Sequence, residues 1–284
     1  MRIVLHGANG FLGRHLAAYL LARGYEVLGL VRRPEAAALL RRLGCEALLY
    51  GARGEVPPLE GEGLHVVLIY SEEGRELELV ERLLERREGL KGLIYASGLG
   101  VEDPRLRGLA HFAVKARVED LLMAAGVPYA ILRPSTIIGP GDEITPLLLS
   151  MARRGTMVVP AEEYVFQPIC ITDACRAVEA CIRRLAKQGE RLVLPLVGPK
   201  VLSYKSFAEL LAEILMAHGW LSAEPRISVL ELNAVMLAWE ITPNQAAYTF
   251  SNATADTAAL EAHMGGRLEP IEACLRRMFP RLVE

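Results

Sequence analysis

No run of this 284-residue chain is both long and apolar enough to cross a membrane. A spanning helix needs about 18 or more consecutive apolar residues. The longest apolar run, residues 121–132, is broken by Gly126 and Pro128 and reads as a helix end followed by a strand. A charge excess is also missing. The 32 basic and 34 acidic side chains leave a formal charge of −2, which offers no attractive field to nucleic acid or an anionic membrane. The five cysteines (Cys45, Cys170, Cys175, Cys181, Cys274) are odd in number and form no C-x-x-C pair. They are expected as small buried apolar residues in a reducing compartment. No His-x-x-x-His, EF-hand or P-loop spacing occurs, so no metal site is expected. Strand-like sequence begins at residue 2, leaving no room for a signal peptide, and a cytoplasmic location is expected. Lysine is scarce: Lys91, Lys115, Lys187, Lys200 and Lys205 are the only ones among the 32 basic residues. There is no internal repeat and no low-complexity linker.

What is present is apolar sequence in short, evenly spaced runs. Hydrophobic residues make up 52% of the chain, enough for a sizeable core. Strands are expected at 2–6, 26–31, 46–50, 65–70, 92–97, 128–133 and 192–197. Helices are expected at 11–23, 34–43, 74–88, 108–125, 144–154 and 172–187, with loops at 61–63 and 98–108. Alternation of buried strands with helices predicts an α/β fold with a doubly wound, mainly parallel sheet. Beyond residue 200 the pattern turns helical. Ser203 reads as an N-cap before Phe207, Leu210, Leu211, Ile214 and Leu215, and Gly219 ends that helix. Asp256 is expected to cap a short helix stopping at Gly265-Gly266, and Pro270 to open the last one. The expected organisation is a domain over 1–200 and a smaller, mostly helical C-terminal lobe over 201–284. That lobe would cover the strand ends and form one wall of a cleft. Trp220 and Trp239, both in it, read as core or lid residues.

The most specific motif follows the first strand: His6-Gly7-Ala8-Asn9-Gly10-Phe11-Leu12-Gly13. A buried strand entering a glycine-spaced turn and then a helix can bind a pyrophosphate. Glycine permits the tight turn and the close approach of backbone to phosphate, and the helix points N–H groups at the anion. Gly7, Asn9, Gly10, Phe11, Leu12 and Gly13 are therefore the candidate dinucleotide contacts. The second strand ends in Arg32-Arg33-Pro34. An acid here would accept from a ribose 2′-hydroxyl, whereas arginine offers a planar fork to a 2′-phosphate. NADP(H) is thus expected over NAD(H), with Arg32 the first choice of contact and Arg33 the second. The competing reading makes both arginines solvated charges before a helix.

A second constellation lies further on. Leu93-Ile94-Tyr95-Ala96-Ser97 is a strand ending in a hydroxyl, and His111-Phe112-Ala113-Val114-Lys115 places His111 and Lys115 on one helix face. Then come Leu132-Arg133-Pro134-Ser135, Gly139-Pro140-Gly141-Asp142 and Gln167-Pro168-Ile169-Cys170-Ile171-Thr172-Asp173. With these marks in this order, residues 1–185 resemble the extended and atypical short-chain dehydrogenase/reductase superfamily, whose members include epimerase/dehydratase-like NAD(P)-binding Rossmann proteins. The tail, with ITPNQ at 241–245, ADTAAL at 255–260 and MGGRLEPIEACL at 264–275, resembles the branch of the Rossmann-fold accessory subunit of respiratory complex I. The resemblance implies a Tyr-x-x-x-Lys pair. Its tyrosine moves a proton at the substrate oxygen during hydride transfer, and its lysine binds the nicotinamide ribose and lowers the tyrosine pKa. Lys115 matches the lysine, Ser97 matches the hydroxyl that holds the substrate oxygen, and Pro134 and Ser135 match the nicotinamide end. His111 stands where the tyrosine belongs. Leu68-Ile69-Tyr70-Ser71 stands where a small residue pair is usual, and Cys170 where histidine is frequent.

Each residue admits two readings. His111 either replaces the tyrosine as proton donor or is a polar residue on a helix without a catalytic task. A cation at Lys115 would depress its pKa. Lys115 either holds the cofactor or is a solvated helix lysine. Ser97 either holds substrate or ends its strand through a backbone hydrogen bond. Glu72-Glu73, Glu76 and Glu78 read as a favourable acidic helix start, the charges over 81–88 as a solvated face, and Thr172-Asp173 as a helix cap. The reading that follows is an NADP(H)-binding oxidoreductase acting on a small organic substrate. The alternatives are a non-catalytic NADP(H) sensor or assembly partner that uses the C-terminal lobe, and a sugar-nucleotide epimerase or dehydratase. Oligomeric state is left open.

Overall fold

The computed structural model describes residues 2–50, 63–71, 74–86 and 89–281. The expected loop positions 61–62, the acidic pair Glu72-Glu73 and the helix end at 87–88 lie outside the described residues. In chain order the first elements are β1 (Arg2–His6), α1 (Phe11–Leu21), β2 (Glu26–Val31), α2 (Pro34–Arg42), β3 (Glu46–Leu49) and β4 (Gly63–Val67). They continue as α3 (Arg75–Glu85), β5 (Leu90–Ala96), α4 (Ala110–Ala124) and β6 (Tyr129–Pro134). There follow β7 (Ile137–Ile138), α5 (Ile144–Arg153), β8 (Thr156–Pro160), β9 (Val165–Phe166), β10 (Ile169–Cys170), α6 (Ile171–Gln188) and β11 (Arg191–Leu196). The remainder is β12 (Leu202–Ser203), α7 (Tyr204–Ala217), β13 (Arg226–Leu230), α8 (Leu232–Trp239), α9 (Pro243–Thr249), α10 (Ala258–Met264) and α11 (Ile271–Met278).

The chain divides into two compact units. The first comprises 1–134, 174–196 and 262–265. It is built on a seven-stranded parallel sheet in the order β11-β6-β5-β4-β1-β2-β3, which is the expected doubly wound Rossmann architecture. Strands β1 and β4 carry unbroken buried runs because helices cover both faces of such a sheet. The strand order reverses at β1, so the switch point lies between β1 and β4. Ligands of open α/β sheets bind beyond the strand ends there. The pairing His6↔Leu30 and His6↔Val67 brings the segments after β1, β2 and β4 to that same edge.

The strand expected at 65–70 runs instead from Gly63 to Val67. Its last tie is the Leu68 N–H to the His6 carbonyl at 3.0 Å, after which Ile69 and Tyr70 belong to the loop. On helix α3 the inward stripe is Glu76, Leu79, Val80 and Leu83, so the acidic start carries one fully buried carboxylate. On α4 the stripe is Phe112, Lys115, Val118, Glu119 and Leu122. Two ionisable groups thus sit among its core positions.

The second unit comprises 135–173, 197–261 and 266–284. Ser203 caps α7 as expected, accepting the Ser206 N–H. Thr242 and Gln245 form a reciprocal capping box at α9. In this unit β13 pairs in parallel with β8 from Arg226↔Thr156 to Leu230↔Pro160. Gln167 explains its own motif: its side-chain amide donates to the carbonyls of Gly198 and Ala255 and accepts the Ala255 N–H. Asp142 accepts from Gly139, Ile144 and Thr145, fixing the GPGD turn onto α5. Thr172-Asp173 does not cap α6, which begins at Ile171. The Asp173 carboxylate sits in the first turn and accepts the Glu269 N–H at 2.6 Å. All five cysteines are buried and none forms a disulfide.

Candidate functional site

The site is built where β1, β4, β5 and β6 end in the first unit. Gly7 leaves β1 in the left-handed region at φ +81°, and a methyl there would meet the Leu68 carbonyl group at 3.2 Å. The Gly10 N–H closes the turn on the Gly7 carbonyl at 3.0 Å. Gly13 is fixed by close approach, since a methyl at its position would stand 2.2 Å from the Gly7 carbonyl oxygen. Gly10 opens α1 without a side-chain cap. The first-turn N–H groups of that helix therefore face the turn unblocked by any capping side chain. Asn9, Phe11 and Leu12 are partly exposed along the same turn, and the Arg14 guanidinium lies 5.4 Å from the Phe11 ring centre. This is a cradle in which backbone can meet a pyrophosphate, as the glycine spacing predicts.

Arg32 and Arg33 are exposed immediately after β2. The Tyr50 N–H donates to the Val31 carbonyl at 3.1 Å, bringing the ring of Tyr50 to the same corner. Burial pushes the Tyr50 phenol up, against an opposing pull from Arg32 and then Arg75. Two guanidinium charges therefore act on one corner of the sheet.

The second constellation is brought together at the end of β5. Ser97 is buried, and its N–H donates to the Leu132 carbonyl at 2.7 Å. Its hydroxyl oxygen is buried with no hydrogen-bond partner among the described residues. A buried hydroxyl left so costs about 1–3 kcal/mol. Lys115 is buried rather than solvated, and its Nζ donates to the Ala96 carbonyl at 3.0 Å. Burial pulls this ammonium down to about 8, while Glu76 and Glu119 hold it up. A methyl built on Gly98 would lie 3.4 Å from Lys115 Cδ and 3.7 Å from His111 Nε2. Ser97, His111 and Lys115 are therefore neighbours.

His111 is half-buried, in edge contact with Tyr70 and Phe112 at ring separations of 4.8 and 4.9 Å. Burial, then the Lys115 charge, lowers its imidazole to about 4. It is thus neutral at pH 7 and has no imidazolium proton to give. Arg133 precedes Pro134 at the end of β6 and forms a two-pronged bond to buried Glu119 at 2.6 and 3.1 Å, with Glu102 at 2.8 Å on its outer side. The Pro134 carbonyl accepts the Leu99 N–H, tying the segment after β5 to β6. Ser135 belongs to the second unit, where its hydroxyl oxygen accepts the Gln167 N–H at 3.4 Å.

Sequence reasoning missed three polar members of this site. Glu76 has one buried carboxylate oxygen without a partner among the described residues, and burial pushes its carboxyl up against the pull of Lys115. Glu119 anchors Arg133. Tyr70 packs on His111. The signal for the two carboxylates was present: Glu76 precedes Leu79, Val80 and Leu83 at helical spacing, and Glu119 follows Lys115 by one turn.

Residues 7–150, just over half of the chain, match the NAD(P)H-binding protein family, and the chain belongs to that family. A ceramide reductase of Caulobacter vibrioides is 31% identical over 170 residues, covering 55% of this chain and 52% of that protein. The chain spans about half the length of the curated relatives it matches. Among solved structures, a nucleoside-diphosphate-sugar epimerase of Staphylococcus aureus superposes with a TM-score of 0.74 at 18% identity, covering 97% of this chain and all of that one. UDP-glucose 4-epimerase of Thermotoga maritima gives 0.68 at 18% identity, covering 98% and 97%. These two share the fold of this chain. No helix among the described residues is long and apolar enough to cross a membrane.

Proposed function

We propose that this chain is an NADP(H)-dependent oxidoreductase that interconverts a carbonyl and a hydroxyl group on a small organic molecule. One observation carries the reading. A buried lysine ammonium and a buried serine hydroxyl with no partner among the described residues stand at the end of β5, on the same sheet edge as the glycine cradle. The residues present fit a nicotinamide dinucleotide. Gly7, Asn9, Gly10, Phe11, Leu12 and Gly13 would hold the pyrophosphate. Arg32, with Arg33 behind it, would meet the adenosine 2′-phosphate. Lys115 would bind the nicotinamide ribose, and Pro134 would border the nicotinamide. When bound, the dinucleotide supplies hydride transfer to or from the carbon that bears the substrate oxygen. Ser97 Oγ donates to that oxygen, and the Lys115 charge stabilises negative charge developing beside it. The relative named as a ceramide reductase favours the reductive direction. Residues 201–284 would supply substrate or partner contacts, and five buried cysteines, none in a disulfide, fit a cytoplasmic setting.

A second reading is favoured by His111. A neutral imidazole in place of the expected phenol fits a protein that binds NADP(H) as a sensor without turnover. Titrating the full chain with NADPH and NADH, as wild type and as Arg32→Ala, tests the cofactor assignment. A charge-assisted phosphate contact of about 1.5–3 kcal/mol predicts a loss of roughly 10- to 100-fold for NADPH and little for NADH. Equal losses, or none, refute the role of Arg32. Carbonyl-dependent loss of the reduced nicotinamide absorbance, saturating in substrate, separates enzyme from sensor.

A further inference from the structure

We propose that Tyr70, at the end of β4, is the proton donor of this site, replacing from another element the phenol that α4 lacks. The inference rests on the oxidoreductase reading above. Strands β4 and β5 are adjacent and in register at Val67↔Tyr95. Tyr70, three residues past that pair, and Ser97, two residues past it, therefore emerge from neighbouring strands at the same edge. His111 spans the gap. Its ring meets Tyr70 edge-on at 4.8 Å and 65°, and its Nε2 borders the residue after Ser97. The position that should carry the phenol thus holds an aromatic ring that packs against a phenol.

The two tyrosines at these strand ends are not equivalent. Tyr95 is fully buried beneath the sheet, where burial and then the charges of Glu76 and Glu119 push its phenol far up. Tyr70 is 48% exposed. His111 on α4 packs on its ring, and Lys115 stands one turn beyond His111 on the same helix face. At pH 7 His111 carries no charge, and the Lys115 ammonium one turn on favours a phenolate over a phenol. In the reductive direction the Tyr70 O–H bond breaks and its proton joins the carbonyl oxygen. This balances the hydride delivered to the carbonyl carbon by reduced nicotinamide. The phenolate left behind takes a proton from solvent through its exposed side. The residue Tyr70 replaces is small in the superfamily pattern. That departure and the histidine at 111 are then one compensated change instead of two unrelated ones.

Absorbance titration of the phenolate band in the full chain, wild type minus Tyr70→Phe, isolates this single phenol and needs no substrate. The expected ionisation lies at least about one pH unit below the ordinary value of about 10, and Lys115→Met returns it toward that value. A Tyr70 phenol that ionises at 10 or above overturns the proposal, as does one unmoved in a folded Lys115→Met variant. If that variant does not fold, the Tyr70→Phe difference decides alone, because a half-exposed ring is replaced without a cavity. NADPH titration of the wild type is read separately. NADPH binding with an ordinary phenol overturns the Tyr70 assignment only. A depressed phenol in a protein that does not bind NADPH overturns the oxidoreductase reading, and the proton-donor role with it.

Discussion

Replacing Gly13 with alanine tests the cradle most directly, because the added methyl meets backbone and no side chain can swing away from it. The methyl would stand 2.2 Å from the Gly7 carbonyl oxygen and 2.9 Å from Cα and the carbonyl carbon of Ala8. A carbon–oxygen contact is comfortable at about 3.3 Å, so α1 and the loop must part by roughly 1 Å. Overpacking of this kind costs about 1–3 kcal/mol. At about 2–4 °C per kcal/mol, the melting temperature should fall by roughly 2–12 °C. A cradle displaced by that distance also loses aligned N–H contacts to the phosphates, and about 1.4 kcal/mol of lost contact weakens NADPH at least tenfold. Gly24→Ala is the control. Gly24 lies just past the other end of α1 at φ +78°, with nothing within 4 Å of an added methyl. Its left-handed backbone costs alanine about 1–2 kcal/mol, so the melting temperature drops while NADPH affinity stays within about twofold. Calorimetric titration and thermal melts of the two variants give both numbers. Wild-type melting and affinity in Gly13→Ala would refute the cradle geometry. Equal affinity losses in both variants would show that α1 stability, and not the cradle, governs binding.

Two further outcomes follow from the buried polar groups. Ser97→Ala is expected to leave stability unchanged or raised by up to about 1 kcal/mol, because its hydroxyl has no partner to lose among the described residues, while turnover falls. A destabilisation above about 1 kcal/mol in a denaturant melt contradicts this account of the hydroxyl. Stability should also fall on mild acidification. Burial holds His65 at about 4, burial and then Lys115 hold His111 at about 4, and burial and then His65 keep His6 well below its usual value. An unfolded chain titrates these rings near about 6.5 and so binds more protons below that pH. The stabilisation is full above about pH 6.5 and is lost as pH falls toward 4. Urea midpoints that are equal at pH 7.5 and pH 5.5 would contradict these depressed imidazoles.

The central sheet was legible because strands buried on both faces read as continuous apolar runs, and all seven lie within two residues of their expected starts. The short strands were not. Strand β13 pairs with β8 across some seventy residues of chain, and its mixed exposure carries no clear period, so only the tertiary partner fixes it. The cradle was legible because glycine spacing reports a backbone constraint directly. Glu76 was hidden by its acidic neighbourhood, which suggests a solvated helix start, although its spacing to Leu79, Val80 and Leu83 places it inward. Tyr70 was hidden by a strand boundary. Read as the last residue of a strand over 65–70 it has no special place, but the ladder stops at Val67 and releases it into the site loop.

Holding a dinucleotide and doing chemistry with it draw on different parts of this chain, and the polar core beneath the site bears on the second. A solvated lysine on α4 would serve stability as well as Lys115 does. Instead the ammonium is buried, bonded to one carbonyl, with Glu76 and Glu119 as its countercharges and Arg133 clamped on Glu119. Burying such charges is expensive, and well-packed apolar residues of similar volume are often as stable or more so. A lysine brought to about 8 beside a hydroxyl with no partner among the described residues supports the proposed action of this charge on a ligand. The neutral His111 then narrows the question to the source of the proton. Among the groups that surround it, the exposed phenol of Tyr70 is placed to supply one without unfolding the core.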